Sequence, residues 1–226
     1  MEDPKHLKSK EDLQLERMLF FSDGVFAIAI TIMIFEIKVP DDIQFTDSAL
    51  WQYLWKTSMK FFGFFLSFTV VGHYTVVHHK IFGYVKKCTN KLLWINLAFL
   101  LSVVLLPFSS GLLGKYSSEL DMKLPYVIYV ANLCFTGAIN CWIWKVVNDP
   151  RKHLLTHVIS PARIKLGIYR SLILPLVFII SLAVSFVMPF LSRFIPLGIP
   201  LIIHYGMKGL ERNANKSEVH HHHHQS

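Results

Sequence analysis

Apolar residues along this chain gather into six runs separated by polar, mostly basic connections. The first covers about residues 19–39 and stops at Pro40-Asp41-Asp42. The second covers 61–77 inside a longer helical pattern over 49–82. The third, fourth and fifth cover 92–113, 126–147 and 172–188, and a sixth, over 190–207, carries Pro196 and Pro200. About twenty helical residues cross the hydrocarbon core of a bilayer, so the first four runs are comfortable spans and the sixth is the most interrupted. Pro107, Pro175 and Pro189 are tolerated where neighbouring helices satisfy the freed carbonyls. Ahead of the first run, Ser9 followed by Asp12 makes a capping-box pattern, and Leu13, Leu15 and Leu19 continue without a breaker. The first span is therefore expected to end a longer helix that begins outside the membrane. The pattern predicts an all-α integral membrane protein with six transmembrane helices per chain. A short arm (1–12), a six-helix domain (13–209) and a C-terminal tail (210–226) divide it.

Composition points the same way. Apolar residues make up 53% of the 226 positions, more than a soluble domain of this size can hide. The net charge of +8 would suit nucleic acid, but the cations fall between apolar runs, as topology signals do, so no nucleic-acid partner is expected. Sixteen Lys and Arg lie in the N-terminal arm, the even-numbered connections and the tail, against six in the odd-numbered connections, with Arg170 set aside at the start of the fifth run. The positive-inside rule then places both termini in the cytoplasm, which requires an even number of spans. Trp51, Tyr53 and Trp55 fit the outer interface, Trp142 and Trp144 the inner one. Cys88, Cys134 and Cys141 form no CxxC pair and no zinc spacing, and read as structural thiols. No small-residue cleavage site follows the first run, so it is expected to remain as a span. The run His220 to His224 reads as a purification-tag remnant, and no metal site is expected.

The first span holds the unusual chemistry: Arg17, then Phe21-Ser22-Asp23-Gly24 leading into an apolar helix. An ionised Asp just inside a membrane costs a few kcal/mol (about 2.5 or more) unless it faces protein or water and has a partner. Arg17 is nearest in sequence, but a spacing of six puts the two on different helix faces. Any pairing must pass through another helix, another subunit or Ser22. His73 and His79, late in the second segment, and Trp94 and Asn96, early in the third, are the candidate partners. A cluster that only fixes helix packing is the plain alternative, and the two roles are compatible.

Beyond Asp23 the helix offers a stripe at helical spacing: Ile28, Thr31 or Ile32, and Phe35. Taken alone, such a stripe is more often lipid-facing or core than pore-lining. Gly24, Ala27 and Thr31 favour close helix approach, and Thr31 is the one hydroxyl deep in the span. Several copies around an axis would give apolar rings and one polar ring, a constriction able to gate by dewetting.

Arg17-x-x-x-Phe21-Ser22-Asp23, with the helix ending in Glu36-Ile-Lys-Val-Pro40, resembles the signature of the transmembrane protein 175 family of potassium channels. His79-x-x-Phe82, Leu93-Trp94-Ile95-Asn96-Leu97 and Leu106-Pro107-Phe108 resemble it too, and the likeness extends over about 13–209. It looks like the prokaryotic branch, with one six-helix unit per chain. The resemblance implies a homotetramer in a bacterial or archaeal cell membrane, whose first helices surround a central pore for potassium ions without a carbonyl-loop filter. It places the constriction on Ile28, the selectivity hydroxyl on Thr31 with Ile32 beside it, and the outer ring on Phe35, where a Leu is more usual. No cofactor and no catalytic residue are implied. A proton-coupled or other secondary transporter is the competing reading, and the chain shows neither midplane carboxylates nor a convincing internal repeat.

Overall fold

The computed structural model describes residues 10–40, 46–116, 122–156, 159–202 and 208. Five long helices follow in order: α1 (Lys10–Ile32), α2 (Asp47–Phe82), α3 (Asn90–Lys115), α4 (Leu124–Val147) and α5 (Pro161–Ser185). All five are long and apolar enough to cross a membrane. Their starts carry the expected chemistry. Thr46, Thr89 and Ser160 cap α2, α3 and α5 by accepting from the backbone N–H of Ala49, Leu92 and Arg163, and Pro161 sits where a missing N–H is harmless. The α1 helix begins at Lys10, ahead of the apolar run, while the expected cap Ser9 lies outside the described residues. At its far end α1 tightens into a 3-10 turn over Met33–Glu36, so Phe35 does not continue the straight α-helical register.

The bundle alternates in direction. Near the start of α1, the Cys88 thiol, which burial pushes up in pKa, points its Sγ at Met18 Sδ (3.7 Å). At the other end Tyr53 donates to the Lys38 carbonyl (2.7 Å), and the Glu36 carboxylate lies directly over Gly111 of α3. The α2–α3 and α4–α5 connections meet at the first end. There Lys86 donates to the Leu154 carbonyl (2.8 Å) and Thr156 to the Tyr84 carbonyl (2.9 Å). The three cysteines are free, partly buried thiols.

Helix α3 is central, packing against α1, α2 and α4, while α4 packs on α5. Val70, Tyr74, Phe99, Leu106, Leu133, Leu174 and Phe178 are fully enclosed between these helices. Because lipid tails are as apolar as these side chains, close packing and interhelical hydrogen bonds hold the helices together. Asn132 of α4 donates to Ser109 of α3 (3.1 Å) and Asn140 of α4 to Ser171 of α5 (3.0 Å). A close approach joins α4 to α5 at Gly137. A methyl group on Gly137 would stand 2.7 Å from Pro175 Cγ and 2.9 Å from the Ser171 carbonyl oxygen. Pro175 has no N–H for that carbonyl, and the hydrogen on the Gly137 Cα lies beside it instead.

The sixth expected span is not among the five long helices. Through Ile202 the chain makes single turns, Pro189–Ser192, Ile195–Gly198 and Ile199–Leu201, each with proline in its first positions. Residues 203–207 lie outside the described residues, as do most of the tail and its histidine run. The fifth helix begins earlier than the apolar pattern predicts, because the polar stretch before Leu172 is also helical and brings Arg170 into the bundle.

Candidate functional site

Helix α1 has two distinct faces. Met18, Ser22, Phe26, Ala29 and Met33 are buried against the protomer. On the other side Arg17, Phe21, Gly24, Ile28 and Thr31 are exposed. At 100° per residue these five fall within an arc of about 80°, one continuous stripe. Ile28 is 59% exposed, and Phe35, on the 3-10 turn, is 77% exposed. Ile32 borders the stripe and is exposed as well. Only 28% of the α1 span is buried, the lowest share among the five helices, so α1 stands at the edge of the protomer with one side uncovered. The Thr31 hydroxyl can donate to the carbonyl of Ala27 (2.9 Å) or Ile28 (3.0 Å). With its hydrogen so engaged, the oxygen presents lone pairs to whatever lies against the stripe.

The buried face is fixed by a chain of side-chain hydrogen bonds across three helices. Asn96 of α3 donates through Nδ2 to Ser22 Oγ (2.9 Å), and Ser22 donates onward to the Met18 carbonyl (2.8 Å). The Asn96 Oδ1 atom then serves as acceptor for His78 Nε2 of α2 (2.9 Å). This assigns the proton of a neutral His78 to Nε2. Ser22, His78 and Asn96 are fully enclosed. The imidazole stacks on Phe99 with an interplanar angle of 9° and is flanked by Phe26 and Phe82. One residue further on, His79 Nε2 lies 3.4 Å from Asp23 Oδ1. This second link lies at the rim, with the two side chains 55% and 44% exposed.

Consecutive residues of α2 thus engage consecutive residues of α1, His78 through Asn96 to Ser22 and His79 directly to Asp23. Four of the residues singled out in the sequence, Ser22, Asp23, His79 and Asn96, come together. The others do not join them. His73 bonds the Arg170 carbonyl of α5 (2.7 Å), because its position on α2 turns it away from α1. Trp94 is 71% exposed, on the outward side of α3 from Asn96. Arg17 makes no ion pair with Asp23 among the described residues and lies on the exposed stripe. Sequence reasoning did not place His78 among the partners of α1. Its signal was the buried stripe Ser67, Val71, Tyr74, His78 and Ile81 on α2, which places it inward at helical spacing. Among the described residues no group of His, Cys, Asp or Glu could hold a metal ion.

Comparison with known proteins gives this arrangement a family. The family model described as "Endosomal/lysosomal potassium channel TMEM175" matches residues 17–107, the stretch that holds both the exposed stripe and the Ser22–Asn96–His78 chain. A potassium channel of Streptomyces collinus is 38% identical over 103 residues, 46% of this chain and 49% of that one. The chain thus spans about half the length of that relative. An endosomal/lysosomal proton channel of Homo sapiens is 37% identical over 57% of this chain and 27% of its own. A potassium channel of Chamaesiphon minutus is 30% identical over 144 residues, 62% of this chain and 68% of that one. The crystal structure of a lysosomal potassium-selective channel homologue from Chamaesiphon minutus shares the fold, with a TM-score of 0.68 at 24% identity over 86% of this chain and 97% of that one. With a family model matching residues 17–107, a relative 30% identical and aligned over two thirds of its length, and a common fold, the chain belongs to the TMEM175 family.

Proposed function

We propose that the chain assembles as a homotetramer in a bacterial or archaeal cell membrane and conducts potassium passively along an axis lined by its α1 helices. The observation that carries this reading is the uncovered stripe of Gly24, Ile28 and Thr31 on the least enclosed span, set opposite a face fixed by buried hydrogen bonds. Apolar residues gain little by leaving lipid, so helices associate there by close packing, which Gly24 and Ala27 permit. Ile28 supplies an apolar ring narrow enough to gate by dewetting, and Thr31 supplies oxygen lone pairs one turn outward, the chemistry a partly dehydrated cation needs. Ile32 and Phe35 border the path towards its outer mouth. The relatives named as potassium channels support potassium as the preferred ion.

The fold completes with a sixth crossing after α5 and both termini in the cytoplasm. The cation distribution supports this, as does the meeting of the α1 start with the α2–α3 and α4–α5 connections at one end of the bundle. The test is flux from liposomes holding the purified protein, with bi-ionic recordings of wild type and Thr31→Ala. Passive potassium permeation with reduced potassium preference in the variant is expected. Unchanged reversal potentials would remove Thr31 from the filter, saturable proton-coupled exchange would select a transporter, and absent flux would sink conduction.

A further inference from the structure

Away from α1, a cavity of about 270 Å³ opens among α2, α4 and α5, at the end of the bundle where α2 finishes and α5 begins. Three cations line it, Lys80, Arg163 and Arg170, together with Tyr84, Trp144 and Gly167. No Asp or Glu is among its described lining residues. The cations are close enough for each to feel the others' charge. Arg163, Arg170 and Tyr84 also hold interactions within the protein, and Arg170 is 9% exposed. Lys80 is exposed and makes the cavity reachable from outside.

A second observation is independent of charge. Trp144 is 3% exposed, and its indole Nε1 is buried without a hydrogen-bond partner. The indole edge lies flat on Gly167, where a methyl group would stand 2.2 Å from Cζ2 and 2.8 Å from Nε1. Gly167 therefore admits the ring and sets an unpaired donor against the cavity wall. A buried donor left without an acceptor is costly and marks a place for one.

We propose that this cavity binds an anionic phosphate group, and that the phosphodiester headgroup of an acidic phospholipid in the cytoplasmic leaflet supplies it. Two guanidinium forks match phosphate oxygens in pairs, as they would not match a lone chloride, while the ammonium and the indole N–H add donors from other directions. Basic pockets between transmembrane helices on the cytoplasmic side hold such headgroups in general. Val76, one turn before Lys80, and Tyr169 and Leu172, beside Arg170, are exposed, so an acyl chain leaving the headgroup would meet apolar surface on both helices.

The test uses the purified full chain in a neutral detergent, titrated with dioctanoyl phosphatidylglycerol, dioctanoyl phosphatidylcholine or inorganic phosphate, with binding read by thermal shift and native mass spectrometry. Phosphatidylglycerol is expected to bind and stabilise, and phosphatidylcholine not. The Lys80→Gln/Arg163→Gln variant should bind phosphatidylglycerol about twenty-five-fold more weakly, given about a factor of five for each cation. A control with equal charge loss at the same end, Lys86→Gln/Lys145→Gln, should keep wild-type affinity. Trp144→Phe, which removes the N–H and keeps a flat ring over Gly167, should weaken binding severalfold and guards against misfolding of the double variant. Inorganic phosphate that binds while phosphatidylglycerol does not would keep the phosphate site and reassign its source to a soluble anion. Equal shifts by the two lipids, equal losses in the control, or unchanged affinity in both cavity variants would overturn the proposal. None of these readouts depends on ion conduction.

Discussion

The hydrogen-bond chain behind α1 makes its sharpest prediction at Asn96. Replacing it with Ala removes both bonds by which Asn96 ties α3 to α1 and α2, to Ser22 Oγ and from His78 Nε2, each 2.9 Å. The two ends do not suffer alike. Ser22 keeps its bond to the Met18 carbonyl, so its hydroxyl stays satisfied within α1. The His78 N–H is left among Phe26, Phe82 and Phe99 with nothing to receive it. Stranding one buried donor costs about 1–3 kcal/mol. The space vacated adds about 1 kcal/mol, since the enclosing rings relax only in part. Asn96→Ala should therefore destabilise the protein by about 2–4 kcal/mol. In a His78→Phe background the stranded donor no longer exists and the stack on Phe99 is kept. The same substitution then also removes the Asn96 Oδ1 that His78→Phe leaves unpaired, so it should cost at most the cavity part, about 1 kcal/mol. Reversible unfolding of wild type, both single variants and the double variant in mixed micelles closes the cycle. An Asn96→Ala cost that is the same in both backgrounds would refute the hydrogen-bonded link between His78 and Asn96.

Other outcomes follow from the same geometry. Gly137→Ala forces a methyl against Pro175 and the freed Ser171 carbonyl, and should lower stability by about 1–3 kcal/mol, read in the same unfolding assay; wild-type stability would mean α4 and α5 are not in close contact there. Asp23→Ala removes a contact to His79 in which both side chains are about half exposed, so it should cost under about 1 kcal/mol, well below Asn96→Ala. Reversal of that order would mean that Asp23 is sealed off in the assembled protein. Ile28→Ser should raise potassium flux from liposomes by wetting the constriction, and unchanged flux would remove Ile28 from the gate.

The five spans that form long helices were readable from the sequence because a bilayer imposes a local requirement, about twenty apolar residues in a row. The stripe on α1 was readable for a similar reason, since helical spacing alone decides which residues share a face. Which residues meet across helices was not. His73, His78 and His79 lie within seven positions of one another on α2, yet they reach α5, α3 and α1 respectively. That outcome depends on where each neighbour crosses and how it is rotated about its own axis, quantities that periodicity does not contain. The same holds for Trp94 and Asn96, two residues apart on α3, one facing outward and the other enclosed. It holds for Gly137 and Gly167 too, which read as ordinary small residues until Pro175 and Trp144 are brought against them. Hydrophobicity along the chain determined which helices can cross a membrane, and the tertiary packing alone decided which polar atoms are paired, which are stranded and which face of α1 is left uncovered.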